Sequence, residues 1–153
     1  MPRQGQRTNP YYQAQAILAR RDHSVAELAA KLRRQGFSAG QVTDTLGRLQ
    51  QNSLLDDERF TSAYIAAALR RTSVGPIWLR HKLRQKGIQP NYIVAVLQRT
   101  FPPGRERSIA RQAAAAWRRL HPSHQNDWHR LTRFLLSRGF SSDVISALRT
   151  DAN

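Results

Sequence analysis

The sequence predicts an all-α fold of three tandem three-helix repeats in an elongated, curved arrangement, and three observations predict it. One local phrase, two leucines four apart with a glycine four further on, occurs three times: Leu28, Leu32, Gly36; Leu79, Leu83, Gly87; Leu131, Leu135, Gly139. The copies are spaced by 51 and 52 residues. Helix starts recur around these stops, and no stretch of the 153 residues alternates as a strand would. Leucines four apart share one helix face, and the glycine can end that helix in the left-handed region while Phe37, Ile88 or Phe140 closes over the turn.

Taken in order, the first helix runs roughly over Pro10 to Arg21, with Asn9 before a proline that suits the first helical position. Ser24 precedes Glu27 by three and Ser38 precedes Gln41 by three, two capping boxes that open the second and third helices. The third helix carries the apolar pair Val42 and Leu46. Asp56 is the candidate cap of a fourth helix over Asp57 to Arg71, with Leu55 and Phe60 as its hydrophobic staple. Pro76 and Pro90 start the fifth and sixth helices, the latter with Ile93 and Leu97. After Pro102, Pro103 and Gly104, a seventh helix over Glu106 to Leu120 places Ile109, Ala113, Trp117 and Leu120 on one stripe. The third Leu-Leu-Gly phrase and the pair Val144 and Leu148, one residue nearer its glycine than in the other copies, complete the count. The implied organisation is a basic flexible tail over residues 1–9 and repeats over 10–57, 58–104 and 105–153. A unit of about 50 residues buries little apolar surface alone, so neighbours should pack end to end.

Composition narrows the function. Lys and Arg number 25 against 10 Asp and Glu, a formal charge of +15, and 22 of the 25 are arginine. Such a balance points to a polyanionic partner. There is no cysteine, hence no disulfide framework and no thiol nucleophile, and no apolar run approaches membrane-spanning length. The basic start lacks an apolar stretch, so the chain is expected to be cytoplasmic and to have no membrane partner. The acidic run Asp56, Asp57, Glu58 is better explained by capping than by a metal. His121, His124 and His129 lack a carboxylate at ligand spacing, and no phosphate-cradling loop or nucleophile elbow is present. No catalytic residue, metal or cofactor is therefore assigned, and the chain is read as a non-enzyme.

The candidate contact surface is basic. Lys31, Arg33 and Arg34 in the first central helix and Arg80, Lys82, Arg84 and Lys86 in the second lie off the leucine stripe, with Lys31 and Arg33 equivalent to Lys82 and Arg84. Arg118, Arg119, Arg130, Arg133 and Arg138 continue the theme in the third repeat, and Trp78 beside Arg80 is the aromatic candidate for a stacking or partner contact. For any one arginine a solvated face is the simpler account; for the set, stored self-repulsion favours a phosphate backbone or an acidic groove. The alternative is a helix-turn-helix transcriptional regulator, reading DNA through the third helix of each repeat. Only Gln41 and Asn91 there suit adenine contacts, and the bases sit mainly on the preceding helix.

The chain resembles the bacterial regulatory RecX family. The resemblance rests on Arg21-Asp22-His23-Ser24-Val25-Ala26-Glu27-Leu28, Lys31-Leu32-Arg33-Arg34-Gln35-Gly36-Phe37, Leu54-Leu55-Asp56-Asp57-Glu58-Arg59-Phe60, Gly75 to Leu83, and Lys86-Gly87-Ile88. It covers Ile17 to Leu97 well and the third repeat loosely. It implies a modulator of the RecA recombinase that binds the helical groove of the RecA filament on DNA, and the chain itself is expected to be a monomer. It further implies inhibition of RecA ATP hydrolysis, strand exchange and coprotease activity, hence a role in recombination, repair and the SOS response. Some members of the family also bind DNA directly, and binding of single- and double-stranded DNA by this chain is expected to lack sequence preference because its arginines would contact phosphate. Two departures stand out: Lys82, with His81 beside it, where the family usually has an acidic residue, and Gly75-Pro76-Ile77-Trp78 where it has an arginine, for which Arg80 is the nearest replacement.

Overall fold

The computed structural model describes residues 9–152, and among these every regular element is helical. Nine α-helices follow in order: α1 (Pro10–Leu18), α2 (Val25–Arg34), α3 (Ala39–Gln51), α4 (Asp57–Arg71), α5 (Pro76–Gln85), α6 (Pro90–Thr100), α7 (Arg105–Leu120), α8 (Trp128–Ser137) and α9 (Ser142–Asp151). A single 3-10 turn, Pro122–His124, precedes α8. The tail expected over residues 1–9 lies outside the described residues except for Asn9. Two compact units divide the chain, one reaching to Ala63 and including Lys86–Ile88, the other made of Tyr64–Gln85 and everything from Gln89 onward.

The helix starts are those expected. The Asn9 side chain accepts the Tyr11 N–H at 2.9 Å, with Pro10 in the first turn. Both serine capping boxes form: Ser24 with Glu27 and Ser38 with Gln41. Asp56 Oδ1 accepts the Glu58 and Arg59 amides at 2.9 and 3.1 Å, and the staple residues Leu55 and Phe60 are both buried. Two caps were not anticipated, Asp127 on α8 and Ser141 on α9, each accepting an N–H three residues on.

The stops follow from glycine. Gly36, Gly87 and Gly139 have φ of +94°, +74° and +80°. In the first and third copies the full terminating motif is present: Gly36 N–H donates to Arg33 O and Phe37 N–H to Leu32 O, while Gly139 N–H donates to Leu136 O and Phe140 N–H to Leu135 O.

In the first unit α1, α2 and α3 pack on one another around Ala14, Ile17, Leu28, Leu32, Val42, Leu49 and Leu55. In the second, α7, α8 and α9 do so around Ala110, Ala113, Ala114, Trp117, Leu131, Leu135, Phe140, Ile145 and Leu148. Three expectations need correction. Helix α1 stops at Leu18 rather than Arg21, because the chain tightens at Arg20 N–H to Ile17 O and the Arg21 carbonyl is taken by the His23 ring. Leu120 is 78% exposed, since the buried stripe of α7 runs through Ala110, Ala113, Ala114 and Trp117 and turns away before the last residue. In α9 Leu148 is buried as expected, but its buried companion is Ile145 and not the half-buried Val144. Ile145 stands six residues after its glycine, as Val42 and Ile93 do, so the apparent one-residue shortening of the third copy disappears.

Candidate nucleic-acid and protein interface

Two junctions of the same design lie beside the basic residues, one in each unit. In the second unit the start of α5 rests on the end of α8: Gly75 N–H donates to Arg138 O at 2.8 Å and Ile77 N–H to Gly139 O at 3.0 Å. Amides that a helix start leaves unpaired are thus satisfied by carbonyls freed at a helix end. The approach is close enough that a methyl on Gly139 would fall 2.7 Å from Trp78 Cα and nearer still to its backbone nitrogen. A methyl on Gly75 would fall 2.8 Å from Phe140 N and nearer still to the Gly139 carbonyl. Arg138 completes the junction by donating to Thr72 Oγ1 at 2.9 Å, with its guanidinium 5.2 Å from the Phe134 ring.

The first unit repeats this with side chains. The start of α2 meets the turn Lys86–Ile88: Ser24 Oγ donates to Lys86 O at 2.5 Å, and Lys86 Nζ donates to Glu27 Oε1 at 2.7 Å. Val25 N–H donates to Asp57 Oδ1 at 2.8 Å, the second acid of the Asp56–Glu58 run. Burial pushes the Glu27 carboxyl up, but the bonds from Lys86 and the Ser24 amide outweigh it and hold the group below its ordinary value. Burial raises Asp57, only partly opposed by the Val25 amide and reinforced by the Asp56 and Glu27 charges. His23, 4% exposed, has its pKa lowered by burial; its Nδ1 lies 2.9 Å from Arg21 O, and Nε2 has no partner among the described residues.

The candidate residues therefore fall into groups. Lys86 and Arg138, equivalent positions at the repeat spacing, are ties of the two junctions. In the first unit Arg33 and Arg34 are exposed and Lys31 half-buried in the last turn of α2, where the helix dipole favours cations. In the second unit Arg80 and Arg84 share one exposed face of α5 at i,i+4, beside exposed Ile77 and His81. Lys82 lies 5.4 Å from the centroid of the half-buried Trp78 ring on the flank of that helix. Arg119 and Arg133 are exposed, Arg130 pairs with Asp127 at 3.2 Å, and the Arg118 guanidinium lies 5.3 Å from the Trp128 ring. Among the described residues Lys31, Arg33, Arg34, Arg80, Arg84, Arg119 and Arg133 have no carboxylate partner. Their charge is available to a ligand.

Other candidates have work within the fold. Tyr11 is held between the Arg48 guanidinium, 4.2 Å from its ring, and Asn52, which donates to its hydroxyl at 3.1 Å. Gln41, one of two side chains suited to reading adenine, accepts the Ser38 amide at 2.9 Å in its capping box. His121 stacks on Trp117 at 4.7 Å, and no group of three or more His, Cys, Asp or Glu among the described residues can hold a metal ion. No helix among them is long and apolar enough to cross a membrane. Sequence reasoning missed the Trp128 cleft of the third repeat; Arg107, Arg111 and Arg118, spaced four and seven apart on one face of α7, were the available signal.

Comparison with known proteins covers nearly the whole described chain. Residues 11–49, 56–97 and 106–148 match the first, second and third three-helix domains of RecX in turn. The regulatory protein RecX of Legionella pneumophila (strain Corby) is 33% identical over 144 residues, covering 91% of each chain. That of Halorhodospira halophila is 32% identical over 140 residues, covering 90% of this chain and 84% of its own. The crystal structure of RecX from Lactobacillus salivarius superposes with a TM-score of 0.81 over 96% of both chains at 19% identity, a likeness of fold.

Proposed function

The chain belongs to the RecX family of regulatory proteins, and from that premise we propose that it binds the groove of the RecA filament on DNA and inhibits RecA ATPase, strand exchange and coprotease activity. One observation carries the reading furthest: the central helices α2 and α5 present cations at equivalent positions, Lys31 with Lys82 and Arg33 with Arg84, while the chain as a whole carries +15. A rigid helix offers such charges at fixed intervals to phosphates or acidic side chains, and their mutual repulsion is relieved on binding.

In this reading the protein has no chemistry of its own and works as a monomer in the cytoplasm. Occupying the filament opposes the subunit movements that hydrolysis and strand exchange require. Binding to single- and double-stranded DNA is sequence-tolerant, because the contacts are to backbone; the commitment of Gln41 to its capping box counts against an operator-reading helix. Neutralising about five phosphates of a single strand gives a salt dependence of log K near −3.5 per decade.

The test is co-sedimentation with RecA filaments assembled on single-stranded DNA, compared with the same DNA alone. Retention on filaments above that on DNA, at a salt concentration where naked DNA no longer holds the protein, supports the proposal. Equal retention on both, or tight preference for one duplex sequence, overturns it.

A further inference from the structure

The third repeat holds a cleft of about 210 Å³ between α7, the start of α8 and the last turn of α9. Its apolar floor includes Ala114 and Leu148, both buried, and the half-buried indole of Trp128 forms one wall. The rim is cationic. Arg118 lies over the indole, 5.3 Å from its centroid, and Arg111 stands two turns earlier on the same helix. The acid of the cleft, Asp151, is held by Arg107 and by Arg111 at 3.2 Å, so two guanidiniums share one carboxylate and Arg118 stands apart from it over the indole.

We propose that this cleft takes one unstacked base of single-stranded DNA, with the ring against Trp128 and the flanking phosphate on Arg118. The inference rests on the reading of the chain as a DNA binder, but it uses residues other than those of the α2 and α5 faces. A flat aromatic wall over an apolar floor accepts any base by its π-face, which makes the contact tolerant of sequence. The entering ring displaces the Arg118 guanidinium from the indole, and that group, which has no carboxylate partner among the described residues, turns to the phosphate. Asp151 repels phosphate from the α9 side of the cleft, so the backbone passes on the Arg118 side. A base within a duplex is stacked on both faces and cannot enter, so the site selects single strands.

The experiment titrates labelled oligothymidine, an abasic strand of the same length and a duplex with the full chain and its variants, with circular dichroism confirming the fold of each. Trp128→Leu is expected to weaken oligothymidine binding about five- to hundredfold and to leave duplex binding unchanged. Trp128→Tyr keeps a stacking face and most of the affinity. Arg118→Gln lowers the single-strand salt slope by about 0.7. Should Trp128→Leu unfold the third repeat, the abasic strand serves in its place, and it is expected to bind the parent more weakly than oligothymidine by a similar factor. Parent-like binding by a folded Trp128→Leu, equal binding of abasic and thymidine strands, or an acidic aromatic peptide that depends on Trp128 while oligothymidine does not, overturns the cleft as a base site. Those outcomes leave the filament proposal standing. Loss of RecA inhibition in variants of α2 and α5 alone bears on the filament and not on the cleft.

Discussion

Substituting Gly139 and Gly36 by alanine isolates what the junction of the second unit contributes. Both glycines end a helix at positive φ, +80° and +94°, and both terminate it with the same pair of backbone hydrogen bonds. The conformational penalty of an L side chain there is about 1–2 kcal/mol in each case. They differ in what surrounds the new methyl. At Gly36 nothing among the described residues lies within 4 Å, whereas at Gly139 the methyl would overlap the Trp78 backbone, with its Cα only 2.7 Å away. Relief requires the start of α5 to move off, breaking the bonds from Gly75 and Ile77 at 2.8 and 3.0 Å, each worth about 1 kcal/mol. Gly139→Ala is thus expected to cost about 3–4 kcal/mol and Gly36→Ala about 1–2. Urea unfolding followed by circular dichroism measures the difference, and hydrogen exchange locates it: the Gly75 and Ile77 amides lose protection in Gly139→Ala and keep it in Gly36→Ala. Equal destabilisation of the two variants, or retained protection at both amides in Gly139→Ala, would refute the reasoning.

Other consequences follow from burial and charge. Leu32→Ala removes a fully buried side chain from the first core and is expected to cost about 2–5 kcal/mol, read by thermal melting, with activity falling only as helical signal falls. The His23 pKa is lowered from 6.5 in the folded chain, so the unfolded chain binds its proton first. The stability this buried neutral ring allows is complete above about pH 6.5 and is lost as pH falls toward the lowered folded value. Melting temperature is therefore expected to fall between about pH 7.5 and 5.5 more steeply in the parent than in His23→Asn, and parallel profiles would contradict it.

The helices were legible because their boundaries are local chemistry. Ser24 with Glu27, Ser38 with Gln41, the prolines at first positions and the three glycines each act within one turn of chain, and spacing alone reveals them. Legibility failed where a residue's role depends on what another segment brings to it. Leu120 fits its stripe by period, but the buried face of α7 runs through Ala110, Ala113, Ala114 and Trp117 and turns away from the last residue. Lys86 and Arg138 look like further members of a basic face, and only the folded chain reveals Glu27 and Thr72 beside them. Trp128 continues the stripe of Leu131 and Leu135 at i, i+3 and i+7, so its period marks it only as a core residue; the cleft beside it forms because α9 returns Leu148 and Asp151 to α7. The cations of α2 and α5 were readable as a set from charge and repeat position, whereas their freedom from carboxylate partners among the described residues required the structure.

The most direct measurement is RecA's DNA-dependent ATPase, titrated with the parent protein and with the triple variant Arg33→Ala, Lys82→Ala, Arg84→Ala. Arg33 and Arg84 are exposed and Lys82 half-buried, so the variant is expected to keep its helical signal and to lose only about 0.5 kcal/mol or so per site. The parent should lower the ATPase and the triple variant should do so only at markedly higher concentration. A folded triple variant that inhibits as well as the parent, or a parent that leaves the ATPase unchanged, would contradict the account.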